Sequence, residues 1–196
     1  MPDRTLNFGL YGAEGEKSAF LAAGVLDRLA AEGGIRSPVT TRRGLDARLR
    51  YLTNSPAGYQ AMRDAGITVA RGTLRRWLRH KQTPTRENLA RIDQAYRAYR
   101  RRNVARHLLR RLNARGGTRV EIQPLDQSAV PDPRRRVIAT DRAGFRRLRI
   151  RRWDRIVAAW AAGDAEALAD AWDDELADLG SQWGQYEYAT SVGFSA

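Results

Sequence analysis

The chain has 196 residues, of which 35 are basic and 22 are acidic, and its formal charge is +13. This length suits one domain with appendages or two small domains, and the charge favours polyanionic partners. There is no cysteine, which excludes disulfides, thiolate zinc sites and cysteine nucleophiles. No apolar stretch reaches the roughly 18 residues of a membrane span, and the first residues lack the pattern of a signal peptide. We therefore expect a cytoplasmic protein without membrane contacts.

Residues 1–40 are predicted to form an N-terminal extension with one short helix. Residues 1–17 are polar and contain several glycines. From Ser18 to Glu32, apolar side chains recur at helical spacing. Gly33-Gly34 then ends the helix, and Ser37-Pro38 marks a linker.

Residues 41–115 are predicted to form a mainly α-helical domain. The second of its helices begins at Ser55-Pro56, where serine can cap the helix and proline fits the first turn. The fourth is long and basic, and it starts after Pro84. The four helices are expected at about residues 42–52, 55–66, 70–80 and 85–112.

The second and third of these helices have the pattern of a helix-turn-helix. Gly66 allows a sharp turn because it can adopt a positive φ, and either Ile67 or Val69 anchors the turn inward. The distance from Gly66 to Leu74 is about two residues longer than in a tight repressor-type turn. Either the turn is looser or the third helix starts at Thr68.

The apolar positions predict which side of each helix is buried. Tyr59 and Met62 of the second helix are expected in the core, and so are Leu74, Trp77 and Leu78, which follow the i, i+3, i+4 pattern. The remaining positions are arginine-rich and would enter the major groove or flank it. With two positions from the long helix that would contact phosphates, the predicted DNA contacts are Thr68, Arg71, Gly72, Thr73, Arg75, Arg76, Arg79, Lys81, Arg97 and Arg101.

The distribution of charge supports a nucleic-acid partner. Residues 70–112 hold 14 basic and 2 acidic side chains, residues 134–155 hold 10 arginines and 2 aspartates, and residues 163–196 hold 8 acids and no lysine or arginine. A solvated surface normally intersperses the two signs. We therefore expect DNA binding and association with the nucleoid.

Residues 116–196 are predicted to form a small α+β domain with an acidic C-terminal part. Alternation of apolar and charged residues predicts strands at Val120–Ile122, Val137–Ile138 and Leu148–Ile150. Two helices follow, from Trp153 to Ala162 and from Asp164 to Leu179. A final strand is expected to begin at Tyr186, which gives the order β-β-β-α-α-β.

No pattern of an enzyme is present. The sequence contains no nucleotide-binding loop, no Ser/His/Asp arrangement and no metal-ligand spacing. The acids Asp173, Asp174 and Glu175 are adjacent on a predicted helix and point in different directions, which is typical of a solvated face. We expect no catalytic residue, no metal and no cofactor.

The order of these parts resembles that of a known family. The segment VARGTLRRWLRHKQTPTRENLARI, the long basic helix, Gly116-Gly117, the segment RRWDRIVAAWAAGDAEAL and the ending Val192-Gly193-Phe194 look like the telomere terminal proteins of linear Streptomyces chromosomes and plasmids. The resemblance covers about residues 42–196 and consists of layout and short motifs.

This resemblance implies a helix-turn-helix protein that binds telomeric DNA ends, becomes linked to a 5′ end and primes end replication. It also implies a telomere-associated protein and a DNA polymerase as partners. The priming hydroxyl of the family is a threonine near the Gly-Gly turn, and Thr118 is the hydroxyl residue next to Gly116-Gly117 here. A threonine that only starts a strand is the alternative.

Two other functions fit the same residues. In one, the chain is a helix-turn-helix transcriptional regulator whose C-terminal domain forms a homodimer. In the other, it is an RNA-binding or nucleoprotein-scaffold protein that uses the arginines without reading bases.

Overall fold

The structure, a computed structural model, describes residues 11–177, 179 and 186–195. Its helices are α1 (Ser18–Ala31), α2 (Arg42–Thr53), α3 (Pro56–Asp64), α4 (Arg71–Leu78), α5 (Arg86–Asn113), α6 (Asp154–Ala162) and α7 (Ala165–Ala177). Its strands are β1 (Glu16–Lys17), β2 (Thr118–Pro124), β3 (Arg146–Ile150) and β4 (Tyr188–Ser195). The fold is therefore α+β, with most helices ahead of most of the sheet, as the sequence predicts.

The described residues group into two compact units. The helical unit comprises residues 29–106 with 161–163, and the sheet unit comprises residues 11–28 and 107–160 and the described part of 164–195. Both α1 and α5 contribute residues to each unit. These bounds differ from the segments 1–40, 41–115 and 116–196, which stay predictions of domain organisation.

The helical unit has one core, in which α2 packs against α3 and α4. Leu49 and Leu52 of α2 and Ile92 of α5 are fully buried there. Side chains also cap the helices: the Thr41 hydroxyl accepts the Gly44 N–H, and the Ser55 hydroxyl accepts the Gly58 N–H, each at 3.1 Å. The predicted start of α3 at Ser55-Pro56 is confirmed.

The sheet unit contains a four-stranded antiparallel sheet in the order β1-β4-β2-β3. Its buried side chains include Trp153 and Trp172, whose rings lie 6.5 Å apart between centroids. The Phe194 ring of β4 contacts Trp153 at 4.8 Å. Trp172 Nε1 also donates to Ser18 Oγ at 2.8 Å, so the start of α1 is tied to this core.

Three details of the predicted C-terminal half are wrong. No strand forms at Val137–Ile138: Val137 is 92% exposed, and two apolar residues after three arginines bury too little surface to form one. The last strand begins at Tyr188, and the second helix ends at Ala177. The sheet also includes β1, which the polar sequence around Glu16 did not predict, because its pairing with β4 is a long-range contact.

The turn at Gly116-Gly117 fixes where β2 begins. Gly117 has φ +98°, in the region that favours glycine, and its backbone passes close to the end of β3. A Cβ at Gly117 would lie 2.2 Å from the Ile150 carbonyl oxygen. Gly116 also has a positive φ, of +80°, but a Cβ there would meet no atom within 4 Å.

We predict that Gly117→Ala lowers the free energy of unfolding of the sheet unit by about 3 kcal/mol, because backbone strain and the overlap with Ile150 add. Gly116→Ala is the matched control and should cost only about 1 kcal/mol, from its positive φ alone. Urea denaturation followed by tryptophan fluorescence measures both. Equal losses in the two variants would contradict the close approach.

Candidate nucleic-acid interface

Helix α4 has one buried side and one exposed side. Leu74 and Trp77 are buried in the core of the helical unit, and Leu78 is half-buried. This confirms the inward face predicted from the i, i+3, i+4 spacing. An eight-residue helix is too short to be stable alone, so these contacts hold it in place.

The exposed side of α4 carries arginines without ion-pair partners among the residues that the structure describes. Arg71, Arg75 and Arg79 are exposed, and none forms an ion pair with another residue that the structure describes. Arg76 is different: its guanidinium donates to Thr73 Oγ1 and to Gln82 Oε1, each at 3.0 Å.

Gly72 lies among these arginines. It is exposed, and a Cβ there would meet nothing within 4 Å, so packing within the protein does not require glycine at this position. Glycine in a helix costs up to about 1 kcal/mol relative to alanine. The missing side chain therefore leaves the backbone of α4 open to close approach by a ligand.

The turn between α3 and α4 is the looser of the two alternatives, because residues 65–70 separate the helices. Gly66 adopts φ +78°. The Ile67 N–H bonds the Met62 carbonyl at 2.9 Å, and the Gly66 N–H bonds the Arg63 carbonyl at 2.8 Å, which together form a Schellman motif. Ile67 is buried and Val69 is half-buried, so Ile67 is the main anchor. Thr68 is exposed and lies in the turn.

Helix α4 ends in the same kind of motif. His80 takes the left-handed position with φ 55°, the Lys81 N–H bonds the Arg76 carbonyl at 2.8 Å, and the His80 N–H bonds the Trp77 carbonyl at 3.0 Å. Histidine is unusual in this position, where glycine or asparagine is preferred. The motif leaves the Lys81 side chain exposed beside the end of α4.

The arginines of α5 are not all available to a ligand. Arg97 pairs with Asp93 at 2.6 Å, and Arg100 donates to the carbonyl oxygens of Ala30 and Glu32, each at 2.8 Å. Arg101 is half-buried and also has a contact within the protein. The two predicted phosphate contacts on α5, Arg97 and Arg101, therefore differ from Arg71, Arg75 and Arg79, for which the described part of the chain provides no such partner.

A buried ion pair connects α2 to α5 beneath this surface. Arg48 Nε lies 2.8 Å from Asp93 Oδ1, and the two side chains are only 8% and 16% exposed. Arg48 also donates to the carbonyl oxygens of Ser37 and Gly44, at 2.7 and 3.0 Å. Three of the roughly five N–H donors that a guanidinium offers thus have an acceptor, which offsets part of the cost of burying its charge.

A second contact between helices fixes the start of α3. The hydroxyl groups of Ser55 and Tyr99 lie 2.7 Å apart. The hydrogen bond with Ser55, and then that with Asn103, lowers the pKa of Tyr99 below its ordinary value. The same Ser55 hydroxyl caps α3, so its contact with Tyr99 connects the start of α3 to α5. Just beyond the other end of α3, Arg91 Nη1 of α5 donates to the Gly66 carbonyl oxygen at 3.2 Å.

Helices α3 and α4 enclose a groove of about 850 Å³ that the sequence did not predict. Its lining includes the apolar side chains of Met62 and Leu74 and the arginines Arg71 and Arg75. Tyr59 also lines the groove and is 39% exposed, so its predicted place in the core is wrong. Helix α3 buries the side chains of Ala61 and Met62 instead, so Tyr59 lies at the edge of the core.

Thr118 does not meet the requirement for a priming hydroxyl. Thr118 is only 2% exposed, and its hydroxyl Oγ1 donates to the Leu112 carbonyl oxygen at 2.7 Å. A hydroxyl that attacks a nucleotide must be reachable by a polymerase. The structure instead uses Thr118 to join the end of α5 to β2.

The acidic residues of α7 form no metal site. Asp173 and Asp174 are exposed, and Arg155 pairs with Asp174. Although the Asp173 residue is exposed, surrounding groups partly desolvate its carboxylate, and this, followed by the charge of Glu187, raises its pKa to about 6. Among the residues that the structure describes, no group of three His, Asp or Glu side chains is placed to hold a metal ion, and no helix is long and apolar enough to cross a membrane.

Comparisons of the chain with protein-family models, with curated proteins and with solved structures gave no match.

We predict that Asp93→Ala lowers the free energy of unfolding of the helical unit by about 3 kcal/mol, because Arg48 would keep a buried charge without its counterion. Glu87→Ala is the control: Glu87 is 71% exposed and pairs with Arg91 on the surface, so its loss should cost less than about 0.5 kcal/mol. Urea denaturation followed by circular dichroism measures both. A loss in Asp93→Ala as small as in the control would contradict the structural role of the pair.

Proposed function

We propose that this protein binds duplex DNA through a helix-turn-helix formed by α3 and α4, with α4 as the helix that enters the major groove. The observation that carries this proposal is the division of α4 into two sides. Leu74 and Trp77 fix one side to the core, while Arg71, Arg75 and Arg79 on the other have no ion-pair partner among the described residues.

The dimensions of α4 fit this use. An α-helix with its side chains is about 10–12 Å across, and the major groove of B-DNA is about 12 Å wide, so α4 can lie in it. In a helix-turn-helix, the first residues of the second helix reach base edges. Arg71, Gly72 and Arg75 lie there, and an arginine fork can bind guanine O6 and N7 together. Arg79 and Lys81, near the other end, would contact phosphates.

The beginning of α4 also supports an anionic ligand. Ala70, its N-cap residue, provides no side-chain hydrogen bond to the first turn. The first N–H groups of a helix attract anions when no side chain caps them. A DNA phosphate beside Thr68 would supply the missing acceptor.

Base reading separates this proposal from the scaffold alternative. A protein that contacts only phosphates does not require a short helix, fixed to a core, that presents arginines beside a glycine. The arginines of α5 that have protein partners would suit phosphate contact alone. The regulator with a dimerising sheet unit stays an alternative, since duplex binding is common to both.

The end-capping role implied by the resemblance to telomere terminal proteins also stays a prediction. In addition to duplex binding, this role requires a preference for hairpin or single-stranded ends and a hydroxyl group that primes DNA synthesis. The buried Thr118 hydroxyl does not support the primer, so the proposed function does not include a covalent link to DNA.

The test is selection of duplexes from a random pool, followed by anisotropy titration of the selected duplex at two salt concentrations. We predict that Arg71→Gln/Arg75→Gln loses about 10- to 100-fold in affinity, because each bidentate contact to a base contributes about 1–3 kcal/mol. The matched control is Arg136→Gln/Arg142→Gln, which removes the same charge from exposed positions of the sheet unit.

The control should lose less than about threefold in affinity, since it lowers the net charge without removing a proposed base contact, and net charge acts through screened interactions. Two results would contradict the proposal. One is a selection that enriches no duplex sequence, which would favour the scaffold function. The other is an equal loss in both variants, which would show that net charge alone determines affinity.

A further inference from the structure

On the solvent-exposed side of the sheet, two arginines occupy opposite positions on neighbouring strands. Arg119 of β2 lies directly opposite Arg149 of β3 in the antiparallel register, and both are exposed. Like charges in directly opposite positions destabilise a sheet. On its other side, Arg119 lies opposite Ser195 of β4, which carries no charge to compensate.

The next cross-strand pair on the same side of the sheet, in contrast, combines an arginine with a carboxylate. Arg147 lies opposite Glu121, with 2.7 Å between Nε and Oε1, and it also pairs with Asp141. These contacts, first the hydrogen bond with Glu121, raise the pKa of Arg147 above its ordinary value. Arg119 and Arg149, two positions along the same strands, have no carboxylate partner among the described residues.

The Gly116-Gly117 turn brings a third arginine to the same place. Arg115 is exposed and adopts φ 54°, a conformation that costs about 1–2 kcal/mol for a residue other than glycine. Arg149 Nη1 lies 3.4 Å from the carbonyl oxygens of both Arg115 and Gly117. These long contacts to neutral groups orient the Arg149 guanidinium against the turn without neutralising its charge.

A concave site of about 630 Å³ results, which we call the turn pocket. Its lining residues are Arg111, Ala114, Arg115, Gly117, Thr118, Arg119, Arg149 and Ser195. None of these is acidic, so the part of the pocket that the structure describes has four arginines and no carboxylate to repel an anion. The Thr118 hydroxyl is already bonded to Leu112.

We propose that the turn pocket is a binding site for phosphate groups, separate from the interface on α4. Arginines from the turn, β2 and β3 line it, and arginine forks match phosphate oxygens. A bound phosphate removes the repulsion between Arg119 and Arg149. The site belongs to the sheet unit, so it does not depend on whether α4 binds DNA.

The test is an NMR titration of the whole protein that follows the backbone amides of Gly116, Gly117 and Arg119. The probes are inorganic phosphate, tripolyphosphate and a single-stranded dodecathymidylate, added at constant ionic strength. The variants are Arg119→Gln/Arg149→Gln and the control Arg136→Gln/Arg142→Gln, which changes the charge of the sheet unit equally. Dispersed amide spectra would show that each variant is folded.

We expect saturable shifts at the three amides in the wild type and the control, and affinity at least about tenfold weaker in Arg119→Gln/Arg149→Gln. Tighter binding of the oligonucleotide than of tripolyphosphate identifies a nucleic-acid backbone as the ligand, whereas the reverse order identifies a free polyphosphate. Shifts that do not saturate, or that are equally weakened in the control, overturn the proposal. Because the readout is local, loss of duplex binding by α4 would leave it unchanged.

Discussion

The arginine surface of the helical unit depends on the burial of Leu74 and Trp77. An eight-residue helix such as α4 does not persist in water on its own, and its exposed side carries several positive charges that repel one another. The apolar contacts of these two side chains with the core built by α2 and α5 therefore fix both the position of α4 and the direction in which Arg71 and Arg75 project. A ligand of this surface would meet side chains that are already held in place, which lowers the cost of ordering on association.

The arginines of this protein fall into two groups that composition alone does not distinguish. Some are structural: Arg48 lies buried against Asp93, and Arg100 closes the end of α1 by bonding carbonyl oxygens. Others, on α4 and around the Gly116-Gly117 turn, have no carboxylate partner among the described residues. A high net charge is thus only a first indication of a polyanionic ligand. The second group indicates where on each unit such a ligand would bind.

The sequence predicted the features that depend on local periodicity. The helices, the cap at Ser55-Pro56 and the inward face of α4 follow from residues within one or two turns of each other. The sequence did not predict features that depend on contacts between residues far apart in the chain. Arg48 and Asp93 are 45 positions apart. The burial of Thr118 and the like-charge pair of Arg119 and Arg149 follow from the register of β2 and β3. Val137–Ile138, in contrast, had a plausible local pattern but no strand formed there.

Directed cleavage of DNA tests the central claim, the docking of α4, most directly. Because the chain has no cysteine, Thr83→Cys provides a single attachment point for an iron chelate just beyond α4, and Thr83→Cys combined with Arg71→Gln/Arg75→Gln provides the control. Bound to a selected duplex, the Thr83→Cys conjugate should cut within about one helical turn of DNA, roughly 10 base pairs, at one position in the site. At the same protein concentration, the control conjugate should lose this localised cutting. Cuts spread along the whole duplex by the first conjugate, or equal localised cutting by both, would contradict the docking of α4.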